Sequence, residues 1–249
     1  MEHDVAVLSR GTGRGVRIAI VDSGVHAAHP HVGSIAGGVA IDGDGREHDD
    51  YVDRLGHGTA VIAAIKEKAP DADLYAVKVF DRSLSTSIST LVAAIDWSAR
   101  HGMHLVNLSL GTARAEHERA LAEAVRRAAA QGLVIVAAAE DEGVRWLPGS
   151  LPGVIAVQLD ATCPRDEYRA VGVNGSTVFR ASGFPREIPG VPPERNLNGI
   201  SFAVANMTGF AARARETAID GSIDTIVRAL LAFQPPATSH ESPSFGGLS

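Results

Sequence analysis

The chain has 249 residues, 45% of them hydrophobic, and a formal net charge of −6. This length can bury the core of one large domain, and the acidic balance gives no electrostatic reason to expect a nucleic acid or an anionic membrane as partner. The single cysteine, Cys163, excludes an internal disulfide framework, and no apolar run approaches the length of a membrane span.

Strand and helix patterns alternate along the chain. Apolar runs predict strands at 17–21, 35–40, 73–79, 103–109, 132–138 and 154–158. Helical spacing predicts helices at 57–66, 87–101, 115–131, 200–215 and 222–232. Such alternation predicts an α/β fold, with a mainly parallel sheet and helices on both faces. We expect residues 1–15 to form a short arm, 16–233 the domain, and the Pro-, Ser- and Gly-rich 234–249 a disordered tail.

The first residues and one acidic loop bear on location and cofactors. No basic region followed by an apolar stretch opens the chain. We therefore predict a cytoplasmic protein, or a secreted one if the chain is a trimmed form. The carboxylates between 42 and 50 lack the spacing of an EF-hand, so we expect a solvated loop there, and neither a metal nor another cofactor.

Three residues stand where local structure would aim their side chains. Asp22 ends the predicted strand 17–21, His57 lies between two glycines at a predicted helix start, and Ser201 opens the helix at 200–215. A serine becomes a nucleophile when a histidine takes its proton and an aspartate orients that histidine. Singly, each could instead be a turn former, a loop residue or a helix N-cap. Cys163 is the alternative nucleophile, but no histidine motif flanks it, which favours a packing role.

Several segments carry a resemblance to the subtilisin-like serine proteases. They are Ile20–Val25, Gly56–Val61, Val106–Gly111, Val134–Ala139, Leu151–Val157 and Gly199–Ala203. The order Asp, His, Ser along the chain is also the order of that family. Ala60, Ile200 and Ala205 stand where the family usually has His, Thr and Pro. The resemblance implies a subtilisin-like three-layer fold.

The same resemblance implies roles for individual residues. Asp22, His57 and Ser201 would form the catalytic triad. A peptide or protein substrate would bind as an extra strand, with its side chains in alternating pockets. The residues implied in substrate binding are Leu84, Ser85, Ser109, Leu110, Gly111, Ala138 and Glu140. The stretch around Ser85 could equally be an ordinary polar loop.

The sequence departs from the family after the predicted strand 132–138. Glu140 and Asp141 replace the usual Gly-Asn, in which the Asn donates a hydrogen bond to the oxyanion. An ionised carboxylate only accepts hydrogen bonds. Asp141 could be protonated, could point away and leave the Ser201 backbone N–H as the main donor, or could mark a protein that binds peptides without cleaving them. Glu140 could narrow the pocket, attract a basic side chain or turn to solvent.

Together these features predict a serine endopeptidase that acts through a Ser-His-Asp acyl-enzyme. A weakened oxyanion hole favours limited processing of a specific peptide or protein precursor over broad digestion. The alternative is a catalytically silent peptide-binding or scaffold protein of the same fold. Under both hypotheses a partner protein could complete the site, and under neither do we expect nucleic acid or a membrane as partner.

Overall fold

A nine-stranded sheet forms the middle layer of the protein in the computed structural model, which describes residues 11–173, 175–192, 195–218 and 220–233. The strands are β1 Arg17–Asp22, β2 Gly37–Ile41, β3 Glu47–His48, β4 Asp73–Lys78, β5 Leu105–Leu108, β6 Val134–Ala138, β7 Glu140–Asp141, β8 Val144–Arg145, β9 Val154–Leu159, β10 Tyr168–Val173 and β11 Ser176–Ala181. The order across the sheet is β10-β11-β9-β6-β5-β1-β4-β2-β3, and β7 and β8 form a separate hairpin. The sheet is parallel except at its two edges, where β10 pairs antiparallel with β11 and β2 with β3.

Helices cover both faces of this sheet. They are α1 His57–Lys68, α2 Ile88–Arg100, α3 Glu118–Ala130, α4 Ile200–Thr217 and α5 Ile223–Ala232. One buried cluster joins α1, α4 and α5 to the sheet, with Ile62 and Phe210 among its members. The other joins α2 and α3 to the opposite face, with Leu91 and Leu121 among its members. This arrangement confirms the predicted three-layer α/β fold.

The predicted elements lie close to the observed ones, with a few differences. The segment predicted as one helix at 115–131 begins as a 3₁₀ turn, Ala115–His117, and continues as α3. The sequence analysis missed the β10–β11 hairpin, whose strands mix polar and apolar residues and show little apolar alternation. They form because β11 pairs in parallel with the edge of β9, a tertiary contact that no local pattern reveals. Residues 1–10 of the predicted arm and the tail 234–249 lie outside the described residues.

The topology places a crevice at the carboxyl end of β1. β1 lies between β4 and β5, and the chain builds the sheet first on the β4 side and then on the β5 side. Ligands of open α/β sheets bind outside the carboxyl ends of the strands where the order reverses in this way. Within the described ranges, no helix is both long and apolar enough to cross a membrane.

Candidate active site

Asp22 and His57 meet at the carboxyl end of β1. Asp22 is the last residue of this strand and is fully buried, while His57 begins α1. His57 Nδ1 lies 2.7 Å from Asp22 Oδ1, and the backbone N–H of Ser23 donates to the same oxygen at 2.8 Å. A carboxylate only accepts, so Nδ1 carries the proton in this contact. Nε2 of His57 is then free to accept a proton.

A close backbone approach allows α1 to begin beside β1. A β-carbon on Gly58 would lie 2.3 Å from the carbonyl oxygen of Gly24, far inside van der Waals contact. Only glycine therefore lets the first turn of α1 come this close. The Gly58 N–H donates to Ser23 Oγ at 2.9 Å, which ties the helix start to the end of the strand.

Ser201 lies in the first turn of α4, on the other side of the crevice. Its hydroxyl donates to the carbonyl oxygen of Ser109 at 3.3 Å, and no hydrogen bond joins it to His57 among the described residues. The segment after β5 is held against α4 through Asn107. Asn107 Nδ2 donates to Ser109 Oγ at 2.8 Å, and Thr208 Oγ1 donates to Asn107 Oδ1 at 2.9 Å. Catalytic hydrogen bonds are often loose before substrate binds.

His57 and Ser201 line one cavity of about 220 Å³. The full lining is His57, Phe80, Leu84, Ser109, Leu110, Gly111, Ala138, Trp146, Ile200, Ser201 and Val204. The structure thus brings together both cavity-facing triad candidates and five of the seven predicted substrate-binding residues. Ser85 lines a neighbouring cavity instead, and Glu140 lines neither. Trp146 was missed by the sequence analysis, because no motif marks it.

The likeness of this protein to known proteins extends over most of the chain. The sequence profile of the subtilase family matches residues 13–233. The chain belongs to this family.

Relatives of this subtilase include alkaline proteases and subtilisins. It is 33% identical to a thermostable alkaline protease of Halalkalibacterium halodurans over 221 residues, which cover 80% of the chain and 56% of that protein. It is 32% identical to Subtilisin Savinase of Lederbergia lenta, covering 85% of the chain and 80% of the relative. The chain spans little more than half the length of the alkaline proteases it matches.

A solved structure shows the same fold. The crystal structure of a cold adapted subtilisin-like serine proteinase superposes on this subtilase with a TM-score of 0.62. The match covers 82% of this chain and 76% of the other, at 22% sequence identity. At that identity the likeness supports the fold alone.

The two acidic residues at the family's Gly-Asn position lie on β7, beside the cavity rather than in its lining. Glu140 is exposed and accepts a hydrogen bond from Gln158 Nε2 at 3.3 Å. Asp141 is half-buried and pairs in register with Val144 of β8. Burial, together with the neighbouring charge of Glu142, raises the pKa of Asp141 above its ordinary value. This shift favours the neutral carboxyl at a higher pH than for an exposed aspartate.

The pKa of His57 reflects opposing influences. Burial lowers this pKa, whereas the hydrogen bond and the charge of Asp22 raise it, with a further contribution from the charge of Asp53. The net result is a pKa above the ordinary histidine value. A base must be unprotonated to accept a proton, so the raised pKa moves the onset of activity to higher pH.

Asp53 is a functional candidate that the sequence analysis missed. This buried carboxylate accepts five hydrogen bonds, all from residues within two positions of Asp22 or His57. The donors are Ser23 Oγ at 2.8 Å, Leu55 N at 2.9 Å, Gly56 N at 2.8 Å, Thr59 N at 2.9 Å and Thr59 Oγ1 at 2.6 Å. The carboxylate therefore shapes the turn that presents His57 and links it to the strand end that presents Asp22. The spacing of an aspartate four residues before the histidine was visible in the sequence, but its contacts were not.

We expect Asp53→Asn to lower kcat by about 10- to 100-fold, because small misplacements of a catalytic group have costs of this size. The amide nitrogen cannot accept, so some of the five donors lose their partner, at about 1–3 kcal/mol of stability for each unsatisfied group. Removal of the charge also lowers the pKa of His57, so the acidic limb of the pH–rate profile should move to lower pH.

The matched control is Asp50→Asn, which removes an exposed carboxylate from the same loop, paired with Arg54 at 2.8 Å. Exposed pairs of this kind are worth about 0–1 kcal/mol. Circular dichroism, kcat and pH profiles of the two variants check the prediction. If the acidic limb of the pH–rate profile lies at the same pH in Asp53→Asn as in wild type, Asp53 has a structural role only.

Cys163 has no part in this site. It is buried, and burial raises the pKa of its thiol to about 11. A thiol in that state is a poor nucleophile. The packing interpretation from the sequence therefore fits its surroundings better than the catalytic one.

Proposed function

We propose that this subtilase is a serine endopeptidase. The observation that carries the proposal is a buried Asp22–His57 pair at 2.7 Å beside a cavity whose lining includes both His57 and Ser201. Ser201 Oγ attacks the carbonyl carbon of a peptide bond while His57 Nε2 takes its proton. His57 then gives that proton to the leaving amine. In the second half of the reaction His57 takes a proton from water, which attacks the acyl carbon, and returns the proton to Ser201 Oγ as the acyl group leaves. Asp22 stabilises the imidazolium and holds its tautomer.

The surroundings of Ser201 support binding of an extended substrate and of the oxyanion. Ser109 to Gly111 continue from the end of β5 along the cavity, where a peptide can add as a strand. The N–H of Ser201, in the first turn of α4, has no partner within the helix. Such an N–H is a donor for the charge that develops on the substrate oxygen.

Labelling with a fluorophosphonate probe tests the proposal directly. The expected result is a single adduct on Ser201, located by mass spectrometry of the digested protein. His57→Ala should label far more slowly, and Ser201→Ala should not label. A folded wild-type protein that takes no label would instead favour the silent peptide-binding protein.

We further propose that the enzyme carries out limited processing of a peptide or protein precursor. The support is a small cavity and a carboxyl group at the position where the family supplies a donating amide. Both features favour slow cleavage of few sites. Digestion of a denatured protein mixture, read by mass spectrometry, should give few cleavages that share a narrow motif. Extensive cleavage with no shared motif would overturn the limited role.

We expect Asp141→Asn to raise kcat at neutral pH with little change in KM. An ionised carboxylate beside the site opposes the negative charge of the transition state, and removing that charge helps whether or not the new amide donates. The gain should be up to about 100-fold, the lower end of what one oxyanion donor supplies. Wild-type activity should fall less steeply toward acid pH than that of the variant, because its Asp141 becomes neutral there. Steady-state kinetics between about pH 5 and 9 give both quantities.

The control for this prediction is Asp166→Asn, the same substitution at an exposed aspartate before β10. Its kcat should stay within about two-fold of wild type, because exposed charges are strongly screened. If Asp141→Asn behaves like this control, Asp141 does not influence the oxyanion. The hole would then depend on backbone donors or on a partner protein.

A further inference from the structure

Two polar side chains that meet between α4 and β5 are completely buried. They are Thr208, in the middle of α4, and Asn107, on β5. Thr208 Oγ1 donates to Asn107 Oδ1 at 2.9 Å, and Asn107 Nδ2 donates to Ser109 Oγ at 2.8 Å. Buried polar groups are costly unless they are paired, so these bonds hold the helix and the strand in one relative position.

The hydroxyl proton of Thr208 is needed most by Asn107. This hydroxyl also lies 2.9 Å from the carbonyl oxygen of Val204, one turn earlier in α4. A hydroxyl has a single proton to donate. The Val204 carbonyl is already satisfied within the helix, where it accepts the backbone N–H four residues later. Asn107 Oδ1 has no other donor in the part of the chain that the structure describes, so it depends on Thr208.

The spacing along both elements carries this contact to the nucleophile. Ser201 and Thr208 are separated by about two helical turns, so they lie on one face of α4. Asn107 and Ser109 have the i, i+2 spacing that places side chains on one side of an extended chain. The helix and the end of the strand meet again at the crevice, where Ser201 Oγ donates to the Ser109 carbonyl oxygen at 3.3 Å.

These contacts form a ring that runs from Thr208 to Asn107, on to Ser109 and Ser201, and back along α4. Because the ring joins helix and strand at two points, it fixes both the distance and the angle between them. Residues 109–111 are the stretch on which a peptide adds as a strand in the proposed function. The ring therefore sets the distance from the substrate main chain to Ser201 Oγ, and a displacement of about 1 Å in such a distance costs about 100-fold in rate.

We propose that Thr208 is a positioning residue that acts through Asn107 to hold the substrate-binding stretch 109–111 in place relative to Ser201. This inference rests on the proposed function, because it concerns the same reaction. Thr208 is buried and is not part of the cavity lining, so it contacts neither the substrate nor the reacting atoms. Its effect falls on peptide substrates, which use this stretch, and not on the reactivity of Ser201 itself.

The test compares two reactions of Thr208→Val, a change that keeps the shape of the side chain and removes its hydroxyl. Asn107 Oδ1 then lacks its donor, which frees the amide and Ser109 to shift. The peptide substrate is a p-nitroanilide of the best-cleaved sequence from the protein digest described above, and its kcat/KM should fall by about 10- to 100-fold. Labelling of Ser201 by the fluorophosphonate, which has no peptide main chain, should keep nearly the wild-type rate. An unchanged kcat/KM would overturn the inference, and so would an equal loss in both reactions.

Two variants separate the hydroxyl from general packing effects. Thr208→Ser keeps the hydroxyl and should retain most of the activity that Thr208→Val loses. Thr217→Val makes the same change at the exposed end of α4, where Thr217 Oγ1 donates to the Ala214 carbonyl oxygen at 3.0 Å. It should hydrolyse the peptide as wild type does. Low activity in either of these variants would contradict a role for the bond between Thr208 and Asn107.

A second break in the same ring keeps the inference testable if Thr208→Val does not fold. Ser109→Ala removes the oxygen that accepts from Asn107 Nδ2, and it should lower peptide hydrolysis without slowing the labelling. Combined with Thr208→Val, it should do little more than the poorer single variant, because both changes break one chain of bonds. Additive losses would show that the two hydroxyls act independently, and the ring would then have no role.

Amide hydrogen exchange makes failure of the inference distinguishable from failure of the proposed function. Without substrate, residues 109–111 should exchange faster in Thr208→Val than in wild type or Thr217→Val, because a loosened segment opens more often. If wild type neither cleaves nor takes the label, the proposed function fails, and faster exchange still supports the positioning role of Thr208. If labelling succeeds but exchange and peptide hydrolysis are unchanged in the variant, the protease assignment stands and the role of Thr208 is wrong.

Discussion

Ser201→Ala should abolish peptide hydrolysis, with a loss of roughly 10⁶-fold in kcat, as for other serine nucleophiles that act within a triad. The change removes the attacking oxygen and leaves the His57–Asp22 pair with no proton to accept. The lost hydrogen bond to the Ser109 carbonyl costs about 1 kcal/mol, because the hydroxyl is only half-buried. The fold should therefore survive, which thermal unfolding followed by circular dichroism can verify.

The control for this prediction is Ser176→Ala, an exposed serine at the start of β11. Its activity should equal that of wild type. Adding His57→Ala to Ser201→Ala should cost little more, because the groups act as a unit and their effects are not additive. Substantial hydrolysis by purified Ser201→Ala protein would show that another residue is the nucleophile.

Asp22→Asn should lower kcat by about 10⁴-fold while leaving the geometry in place. The amide can direct its NH₂ group at His57 Nδ1, where the carboxylate accepted the proton of the ring. This forces the histidine proton onto Nε2, the atom that must accept the proton of Ser201. The main fault is thus a wrong tautomer, together with a Ser23 N–H that loses its acceptor, because both groups share Oδ1 of Asp22.

A pH profile separates this mechanism from simple misfolding. The hydrogen bond and charge of Asp22 both raise the pKa of His57, against the effect of burial. Their removal lowers that pKa, so the residual activity of Asp22→Asn should begin at lower pH than that of wild type. Asp73→Asn, an exposed carboxylate opposite Arg17 at the far end of the β1–β4 pair, is the control and should keep the wild-type profile. An unshifted onset in Asp22→Asn would mean that Asp22 does not contact the catalytic histidine.

Local patterns predicted most of the fold. Buried parallel strands are continuous apolar runs, as in β1 and β6, and they stand out against the amphipathic helices between them. The edge strand β10 and its neighbour β11 were missed because partly exposed strands of mixed composition have no comparable signal. Their pairing with each other and with β9 is what makes them strands.

The catalytic candidates could be found because the residues beside them are restricted to certain types by the local backbone. A helix that begins at His57 against the end of β1 requires Gly58, and a strand that ends at a buried carboxylate requires an apolar run before it. These constraints leave short motifs that can be recognised in the sequence without knowledge of the fold. Asp53 matches no motif of this kind. Four of its five hydrogen bonds come from Leu55, Gly56 and Thr59 in its own segment, and the fifth comes from Ser23 beyond the end of β1, a contact that exists only when the chain folds.

The sequence by itself therefore determined the family, the α/β architecture and the identity of the triad candidates Asp22, His57 and Ser201, because each depends on the order of residues within a short segment. Only the tertiary structure decided what surrounds them. It placed Trp146 in the cavity and left Glu140 outside it, because the pairing of Leu147 with Thr112 and of β7 with β8 sets which side chains face the crevice. Side-chain direction in such turns depends on contacts between distant parts of the chain, and no spacing along the sequence encodes them.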